Sequence, residues 1–271
     1  MRIAQLSDMH FVSAGERLYG SVDVNAQNAD IIHQLNQLHE PVDAVVITGD
    51  ISNDGISAQY QAAAKILSYI RCPLYVINGN HDERAAFIDA FAPLCPPLQQ
   101  AGEMRYAVEY PFHRLLFVDS TVLGQTYGHL SEASLDWIEV QLKSCDKPVV
   151  VFMHHPPISM NSAHMDPICC LNGDTLLTFA QRYSHFSGIY CGHNHCFSIT
   201  SYQQLIIAAA PATSVQIPVY QNDSTPYYQF GQASCLIHTV TDNGRWVSYQ
   251  HHFSGLQGMR RFPWVNERVV Q

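Results

Sequence analysis

The chain has 271 residues, of which 47% are hydrophobic and 14% charged, enough for a large core in one domain with at most an appendage. Acidic residues outnumber basic ones by 23 to 14, and a formal net charge of −9 argues against a protein that binds nucleic-acid polymers through their phosphates. No apolar run approaches ~20 residues, so we expect no membrane anchor. The eight cysteines lack the spacing of a disulfide scaffold, and no signal-peptide pattern precedes the first apolar run, so we expect a cytoplasmic location.

Five short apolar runs along the chain predict buried strands, and each run ends in aspartate, asparagine or histidine. In chain order they are RIAQLSDMH, DAVVITGD, PLYVINGNHD, KPVVVFMHHPP and SGIYCGHNH. Between them, apolar residues recur at helical spacing over residues 26–39, 57–70 and 131–145. Alternating strands and helices predict an α/β domain with largely parallel sheets, in which the polar strand ends gather at one edge.

The residues at these strand ends form a candidate metal-ligand set. The seven members are Asp8, His10, Asp50, Asn80, His154, His193 and His195. A histidine pair such as His193 and His195 is weak evidence alone, but five successive strand ends with such residues are hard to explain as turns and caps. Oxygen and nitrogen ligands favour Mn, Fe, Co or Zn over a thiolate site. Seven ligands are too many for one catalytic ion with an open position, so the pattern predicts two ions bridged by a carboxylate.

The pattern D8-x-H10, G49-D50, G79-N80-H81-D82, H154 and G192-H193-x-H195 resembles the calcineurin-like metallophosphoesterases, in order and spacing. The match is closer to the branch of bacterial glycerophosphodiesterases and class III cyclic nucleotide phosphodiesterases. This resemblance implies a four-layer αββα sandwich with two mixed sheets and a small C-terminal cap or dimerisation segment. It also implies a catalytic core over residues 1–200, completed by residues 201–271.

The resemblance also implies roles for these residues. Asp8, His10 and His195 are expected to bind one divalent or trivalent transition-metal ion, and Asn80, His154 and His193 a second, with Asp50 as the bridge. A metal-bound hydroxide is then expected to attack the phosphorus. His81 is expected to stay off the metals and act on the phosphate or the leaving oxygen; the alternative is a structural histidine paired with Asp82.

His155 neighbours a ligand on a predicted strand, so we expect its side chain to point to the other side and to be structural. Asn80 and His81 are weak candidates for substrate contact. So is Asn161, in the long loop after His154.

The expected reaction is hydrolysis of a small phosphodiester, such as a glycerophosphodiester or a 3′,5′-cyclic nucleotide. A phosphomonoesterase or a nuclease of the same family is the alternative. The sequence GDISNDG lacks the arginine with which the related protein phosphatases bind a dianionic monoester. A non-enzymatic scaffold is disfavoured because no ligand position is lost.

The last part of the chain predicts three strands, in QLIIAAAP, ASCLIHTV and RWVSYQHH, which we expect to complete the second sheet. Residues 217–230 are rich in tyrosine and proline and low in charge, which is typical of interface cores. We therefore expect at least a homodimer, with this segment near the mouth of the active site.

Overall fold

The computed structural model describes residues 1–98, 102–219, 225 and 227–253. The strands are β1 (Arg2–Leu6), β2 (Ala44–Thr48), β3 (Leu74–Ile77), β4 (Arg105–Glu109), β5 (Arg114–Val118), β6 (Val149–Phe152), β7 (Phe186–Cys191), β8 (Ser198–Tyr202), β9 (Leu205–Ala209), β10 (Ser234–Val240) and β11 (Trp246–His252). The helices are α1 (Val24–Leu35), α2 (Ser57–Leu67), α3 (Arg84–Phe91), α4 (Glu132–Lys143) and α5 (Gly173–Arg182), with a 3₁₀ turn at Asp166–Ile168. Among the residues described, no helix is both long enough and apolar enough to cross a bilayer.

The strands form two mixed sheets, as the resemblance implies. One has the order β11-β10-β1-β2-β3 and the other β4-β5-β6-β7-β9-β8. In the first, β1 runs parallel to β2 and antiparallel to β10. In the second, β5, β6, β7 and β9 run parallel, and β4 and β8 are antiparallel edge strands.

Successive side chains along a strand point to opposite faces of the sheet and so pack against different layers. In β5, Leu115 and Phe117 pack into the core between the sheets, while Leu116 and Val118 pack with residues of α4 and α5 on the opposite face. Buried residues of α1, α2 and α3 pack on the first sheet in the same way. Two sheets face each other between two layers of helices, which confirms the four-layer sandwich.

The observed helices are shorter than the periodicity predicts. Helix α1 begins at Val24, where the Asp23 side chain accepts a hydrogen bond from the Ala26 amide, and it ends at Leu35. Leu38, beyond its end, still packs against the core, so the apolar spacing continues past the last helical turn. Ile70, beyond the end of α2, behaves in the same way.

The expectation that three C-terminal strands complete one sheet is wrong. Strand β9 pairs with β7 in the six-stranded sheet, whereas β10 and β11 extend the five-stranded sheet beside β1. Period-2 alternation identifies a strand but carries no information about its partner, which is why the pattern could not separate the two sheets. The proposed boundary at residue 200 stays a prediction.

Candidate metal centre

The carboxyl ends of β1, β2, β3, β6 and β7 meet at one edge of the sandwich, and the predicted ligands lie there. The Asp8 amide donates to the Gly49 carbonyl at 3.1 Å and the His10 amide to the Asp50 carbonyl at 3.0 Å, which joins the loops after β1 and β2. The His193 amide donates to both Asp8 carboxylate oxygens at 3.1 Å and so ties the two sheets together.

The backbone at this edge is unusual. Five of the seven predicted ligands have positive φ, between 47° and 68°: Asp8, His10, Asp50, His193 and His195. Such angles are uncommon for residues other than glycine, and they cluster at functional sites. Tight left-handed turns directly after a strand turn each side chain back across the strand ends, which brings residues from both sheets together.

The side chains fall into two adjacent groups of candidate ligands. Asp8, His10, Asp50 and His195 form one group, and His154, His155 and His193 form the other. Asp50 Oδ2 lies 3.8 Å from His10 Nε2 in its own group and 3.3 Å from His154 Nε2 in the other. The Asp50 carboxylate therefore stands between the two groups, where a bridging ligand must be.

Hydrogen bonds to backbone carbonyls set the tautomers of two of these histidines. His154 Nδ1 donates to the Thr48 carbonyl at 2.7 Å, and His195 Nδ1 donates to the Val215 carbonyl at 2.8 Å. Because a carbonyl only accepts, Nδ1 carries a proton, and in the neutral ring that metal binding requires, Nε2 has the lone pair and faces the site. Partners of this kind are the usual support of metal-bound histidines.

The inward-facing atoms are poorly satisfied by one another. His195 Nε2 lies 3.1 Å from His10 Nε2, and His154 Nε2 lies 3.1 Å from Asn80 Oδ1 and 3.3 Å from His193 Nδ1. On the other side of two of these rings, His10 Nδ1 and His193 Nε2 are buried without any hydrogen-bond partner within the described ranges. Bound cations would satisfy lone pairs that face each other in this way, so the residues present fit the metals that the sequence predicts.

Burial and charge set the protonation of the centre. Burial lowers the pKa of His10 and of His193 well below the usual value, so both imidazoles are neutral, as metal ligands must be. Burial alone would raise the pKa of Asp50, but the imidazoles of His154 and His81 outweigh it and hold that pKa well below its ordinary range. A carboxylate that stays ionised while buried is suited to bridging two cations.

His81 lies beside the centre and outside both groups of candidate ligands. Its Nδ1 donates to the Asn53 carbonyl at 2.7 Å, and its ring meets that of His10 edge-on at 4.8 Å. The Asp50 carboxylate raises the pKa of His81 and outweighs the opposing effect of burial. Asp82 makes no bond to His81: it accepts from the amides of Ile51, Ser52 and Gly79.

The expected orientation of His155 is wrong. Strand β6 ends at Phe152, so strand alternation does not apply at position 155, and the ring packs against His193 at 4.6 Å. Its Nδ1 lies 2.9 Å from Ser120 Oγ and its Nε2 3.2 Å from the Thr126 carbonyl. Because both nitrogens have protein partners, His155 supports the ligand histidines from behind.

A cavity of about 310 Å³ opens above the centre. Its base contains His10, Asp50, Asn80, His81, His193 and His195, while Asp8 and His154 are fully buried beneath it. Its walls contain Tyr19, Thr126, His164, Met165, Ile168, Val215, Ile217, Tyr227 and Tyr228. Asn161 lies on an exposed turn outside this lining, and His164 of the same loop lines the cavity instead. No sequence pattern singles out His164.

Comparison with known proteins places this geometry in a family. The model of the calcineurin-like phosphoesterase family matches residues 1–197. The glycerophosphodiester phosphodiesterase GpdQ of Enterobacter lignolyticus is 45% identical over 100% of this chain and 96% of its own length. The 3′,5′-cyclic adenosine monophosphate phosphodiesterase CpdA of Escherichia coli K12 is 28% identical over 83% of this chain and 80% of its own.

A solved structure shares the fold. Purple acid phosphatase PPD1 from yellow lupin superposes with a TM-score of 0.74 at 15% identity, over 94% of this chain. The chain spans about half of that protein, 52% of its length. On the family match and the relatives together, the chain belongs to the calcineurin-like phosphoesterase family.

Proposed function

We propose that this chain is a phosphodiesterase that hydrolyses small phosphodiesters with two transition-metal ions. The observation that carries the proposal is the buried Asp50 carboxylate between two groups of nitrogen and oxygen ligands, at the base of an open cavity. The relatives named glycerophosphodiester phosphodiesterase and cyclic adenosine monophosphate phosphodiesterase support a substrate among glycerophosphodiesters and 3′,5′-cyclic nucleotides.

The residues divide between two ions. Asp8, His10 and His195 would hold one ion, and Asn80, His154 and His193 the other, with Asp50 shared. The nitrogen and oxygen ligands suit Fe, Mn, Co or Zn. Bound ions would stabilise charge on the phosphate and lower the pKa of water.

The remaining groups at the base act on the substrate. His81 has Nε2 without a protein partner within the described part of the chain, and it lines the cavity. In the proposed reaction this nitrogen contacts a phosphate oxygen or the leaving oxygen. The Asn53 carbonyl holds the ring in place through Nδ1, so the contact requires no rearrangement.

The cavity favours a diester over a monoester. Neither lysine nor arginine occurs among the described residues that line it. A phosphodiester carries one negative charge, whereas a monoester dianion carries two and needs a further cation. The apolar and aromatic walls leave room for the second ester group.

A rate panel tests the proposal. The protein is stripped with a chelator and reloaded separately with Mn, Co, Zn and Fe. It is then assayed on glycerophosphoethanolamine, 3′,5′-cyclic AMP, bis(4-nitrophenyl) phosphate and 4-nitrophenyl phosphate. We expect no activity in the stripped protein, recovery on reloading, and a higher kcat/KM for at least one diester than for the monoester. A monoester that is hydrolysed faster than every diester would make the chain a phosphomonoesterase.

We further propose that the chain forms a homodimer or a higher homo-oligomer through residues 217–230. Residues 220–224 and 226 of this segment lie outside the described residues. Val219, Tyr227, Tyr228 and Phe230 are exposed apolar side chains of the kind enriched at interfaces, which supports the proposal. Light scattering at micromolar concentration should give at least twice the 30.4 kDa chain mass. A monomer would contradict it.

We also propose a cytoplasmic location, supported by eight cysteines that are all free thiols. Fractionation of cells that express the protein would test this location, and the protein should appear in the cytoplasmic fraction.

A further inference from the structure

The wall of the cavity contains one imidazole outside the metal centre. His164 lines the cavity together with Met165 and Ile168 of the same loop, and Tyr19 and Tyr228 line it as well. The side chain is half-buried. Within the described ranges it makes no hydrogen bond or ion pair with any other residue, unlike His81, His154 and His195, whose Nδ1 atoms each reach a backbone carbonyl. An imidazole held in a cavity without a protein partner is free to bind a ligand.

The loop that carries His164 is held rigidly. The Asp166 carboxylate accepts from the Met160 amide at 2.9 Å, from the Ser162 amide at 3.2 Å and from Ser159 Oγ at 2.5 Å. Ser162 and Met165, on either side of His164, are 5% and 4% exposed. With buried residues on both sides and Asp166 closing the loop, the backbone at His164 is fixed in the free protein. A ligand would therefore meet an imidazole whose backbone is already in place.

Apart from Tyr19, Tyr227 and Tyr228, the remaining wall offers little polarity. Met165, Ile168 and Ile217 are apolar, and the Thr126 carbonyl already accepts from His155. The phosphate of a diester belongs at the metal centre, so the alcohol that it esterifies must lie along the walls. An alcohol with further hydroxyl groups needs hydrogen-bond partners there, and a neutral imidazole offers one donor and one acceptor.

We propose that His164 determines specificity by hydrogen-bonding a free hydroxyl group on the esterified alcohol of the substrate, as in a glycerol diester. This inference rests on the proposed phosphodiesterase function. A site that is built to bind a hydroxyl group discriminates strongly against an analogue that lacks it, because its polar atom is then buried and unpaired. A purely apolar wall could not favour the substrate with the hydroxyl group over the analogue that lacks it.

Two substrates that differ only in hydroxyl groups provide the test: the 4-nitrophenyl diesters of glycerol phosphate and of propyl phosphate. Both release nitrophenolate, so the leaving group is matched, and a reaction without enzyme corrects for nitrophenolate that the neighbouring hydroxyl group of the glycerol ester releases by attacking the phosphorus. We expect the wild-type protein to have the higher kcat/KM for the glycerol ester. In His164→Ala the ratio of kcat/KM for the glycerol ester to kcat/KM for the propyl ester should fall about 10-fold, the effect of one hydrogen bond of about 1.4 kcal/mol. The change should appear as a higher KM for the glycerol ester.

Three further variants separate hydrogen bonding from packing. His164→Phe keeps a ring without nitrogens and should lower the ratio as His164→Ala does. If the alanine variant fails to fold, the phenylalanine variant still tests the inference. His164→Gln keeps a donor and an acceptor and should recover part of the ratio. His129→Ala removes an exposed histidine that does not line the cavity and should leave the ratio unchanged. Metal content, measured by emission spectrometry, should match the wild type in all four.

The outcomes are distinct. A wild-type protein that hydrolyses both esters with a ratio that His164→Ala and His164→Phe leave unchanged overturns the inference and leaves the proposed function standing. An equal loss on both esters also overturns it, because His164 would then act on the shared phosphate. A metal-loaded wild type that hydrolyses neither these esters nor any diester of the panel removes the proposed function, and the inference with it.

Discussion

The candidate metal centre depends on small residues as much as on its ligands. Gly79, between β3 and Asn80, lies directly against Asp50: a Cβ at this position would overlap Asp50 Oδ1 and the Asp50 backbone nitrogen. Gly192, before His193, lies in the same way against Ser7 Oγ and the Thr48 carbonyl. The loops after neighbouring strands can approach closely enough to share ligands only because these positions lack side chains.

Gly79→Ala should therefore displace Asp50 and empty both metal positions. We expect bound metal to fall well below the wild-type content and the rate on a diester to drop by at least ~10²-fold, since one misplaced group at an active site costs about that much. Gly231→Ala is the control, because its new Cβ would contact the Gln216 side chain and none of the candidate ligands. Full metal content in Gly79→Ala would show that Asp50 is not a shared ligand.

His81→Ala, unlike Gly79→Ala, should lose activity without losing metal. Because His81 lies outside both groups of candidate ligands, the variant should keep its metals, yet lose rate by about 10²–10⁴-fold, as expected for general acid–base or electrostatic catalysis. If His81 protonates the leaving oxygen, the loss should be smaller for a nitrophenolate ester than for an alkyl ester. Equal losses would assign it to charge stabilisation on the phosphate, and unchanged rates on both would remove it from catalysis.

At the scale of single residues, the sequence predicts which candidate ligands lie close together but not the backbone turns and tautomers that orient them. The polar residues after β1, β2, β3, β6 and β7 could be found because parallel strands bring their carboxyl ends to one edge. The tautomers could not, since they depend on the Thr48 and Val215 carbonyls, which come from other parts of the chain. The left-handed turns could not either, because the residues that adopt them are not glycines. His164 was missed because a lone histidine in an irregular loop has no spacing to recognise.

Between the two sheets, a buried polar network joins elements that are far apart in sequence. His238 on β10 lies 3.0 Å from Gln5 Oε1 on β1 and 2.8 Å from Ser248 Oγ on β11. The Gln5 amide donates in turn to Thr48 Oγ1 on β2 and to the Cys191 carbonyl on β7. The end of β7 thus carries both a ligand loop and a tie to the opposite sheet, so this network supports the metal centre from behind.

Burial lowers the pKa of His238 to about 3, which makes stability depend on pH. In the unfolded chain the pKa is about 6.5. The contribution to stability is therefore complete above pH 6.5 and is lost as pH falls from 6.5 toward 3, at about 1.4 kcal/mol per pH unit, because only the unfolded state takes the proton.

Urea unfolding at pH 7 and pH 5 tests this. His238→Gln should be less stable than the wild type at pH 7, and the difference in the free energy of unfolding should narrow by about 2 kcal/mol at pH 5. His252→Gln, at an exposed position on β11, serves as the control and should show the wild-type dependence on pH. A difference that stays constant between the two pH values would mean that folding leaves the pKa of His238 unchanged.

Across the molecule, two electrostatic effects act on an anionic substrate in opposite directions. The net negative charge of the chain repels the substrate, whereas the cations of the candidate metal centre would attract it. The chain carries a formal charge of −9, and two divalent ions would leave the total negative. No lysine or arginine among the described lining residues offsets this at the cavity mouth. Strand-end patterns predict an α/β fold and a candidate ligand set, but the balance between the long-range field and the metal centre depends on where every charge lies.

We expect the long-range field to slow the capture of anionic diesters. Raising NaCl from 10 to 200 mM shortens the screening length from about 30 Å to below 10 Å, so kcat/KM for bis(4-nitrophenyl) phosphate should rise about two- to fivefold while kcat stays constant. The dianion of 4-nitrophenyl phosphate should respond more steeply because it carries twice the charge. Glycerophosphoethanolamine, which has no net charge, should respond little and serves as the control. A fall in kcat/KM with salt would instead mean that the positive field of the bound metals extends past the cavity mouth and governs association.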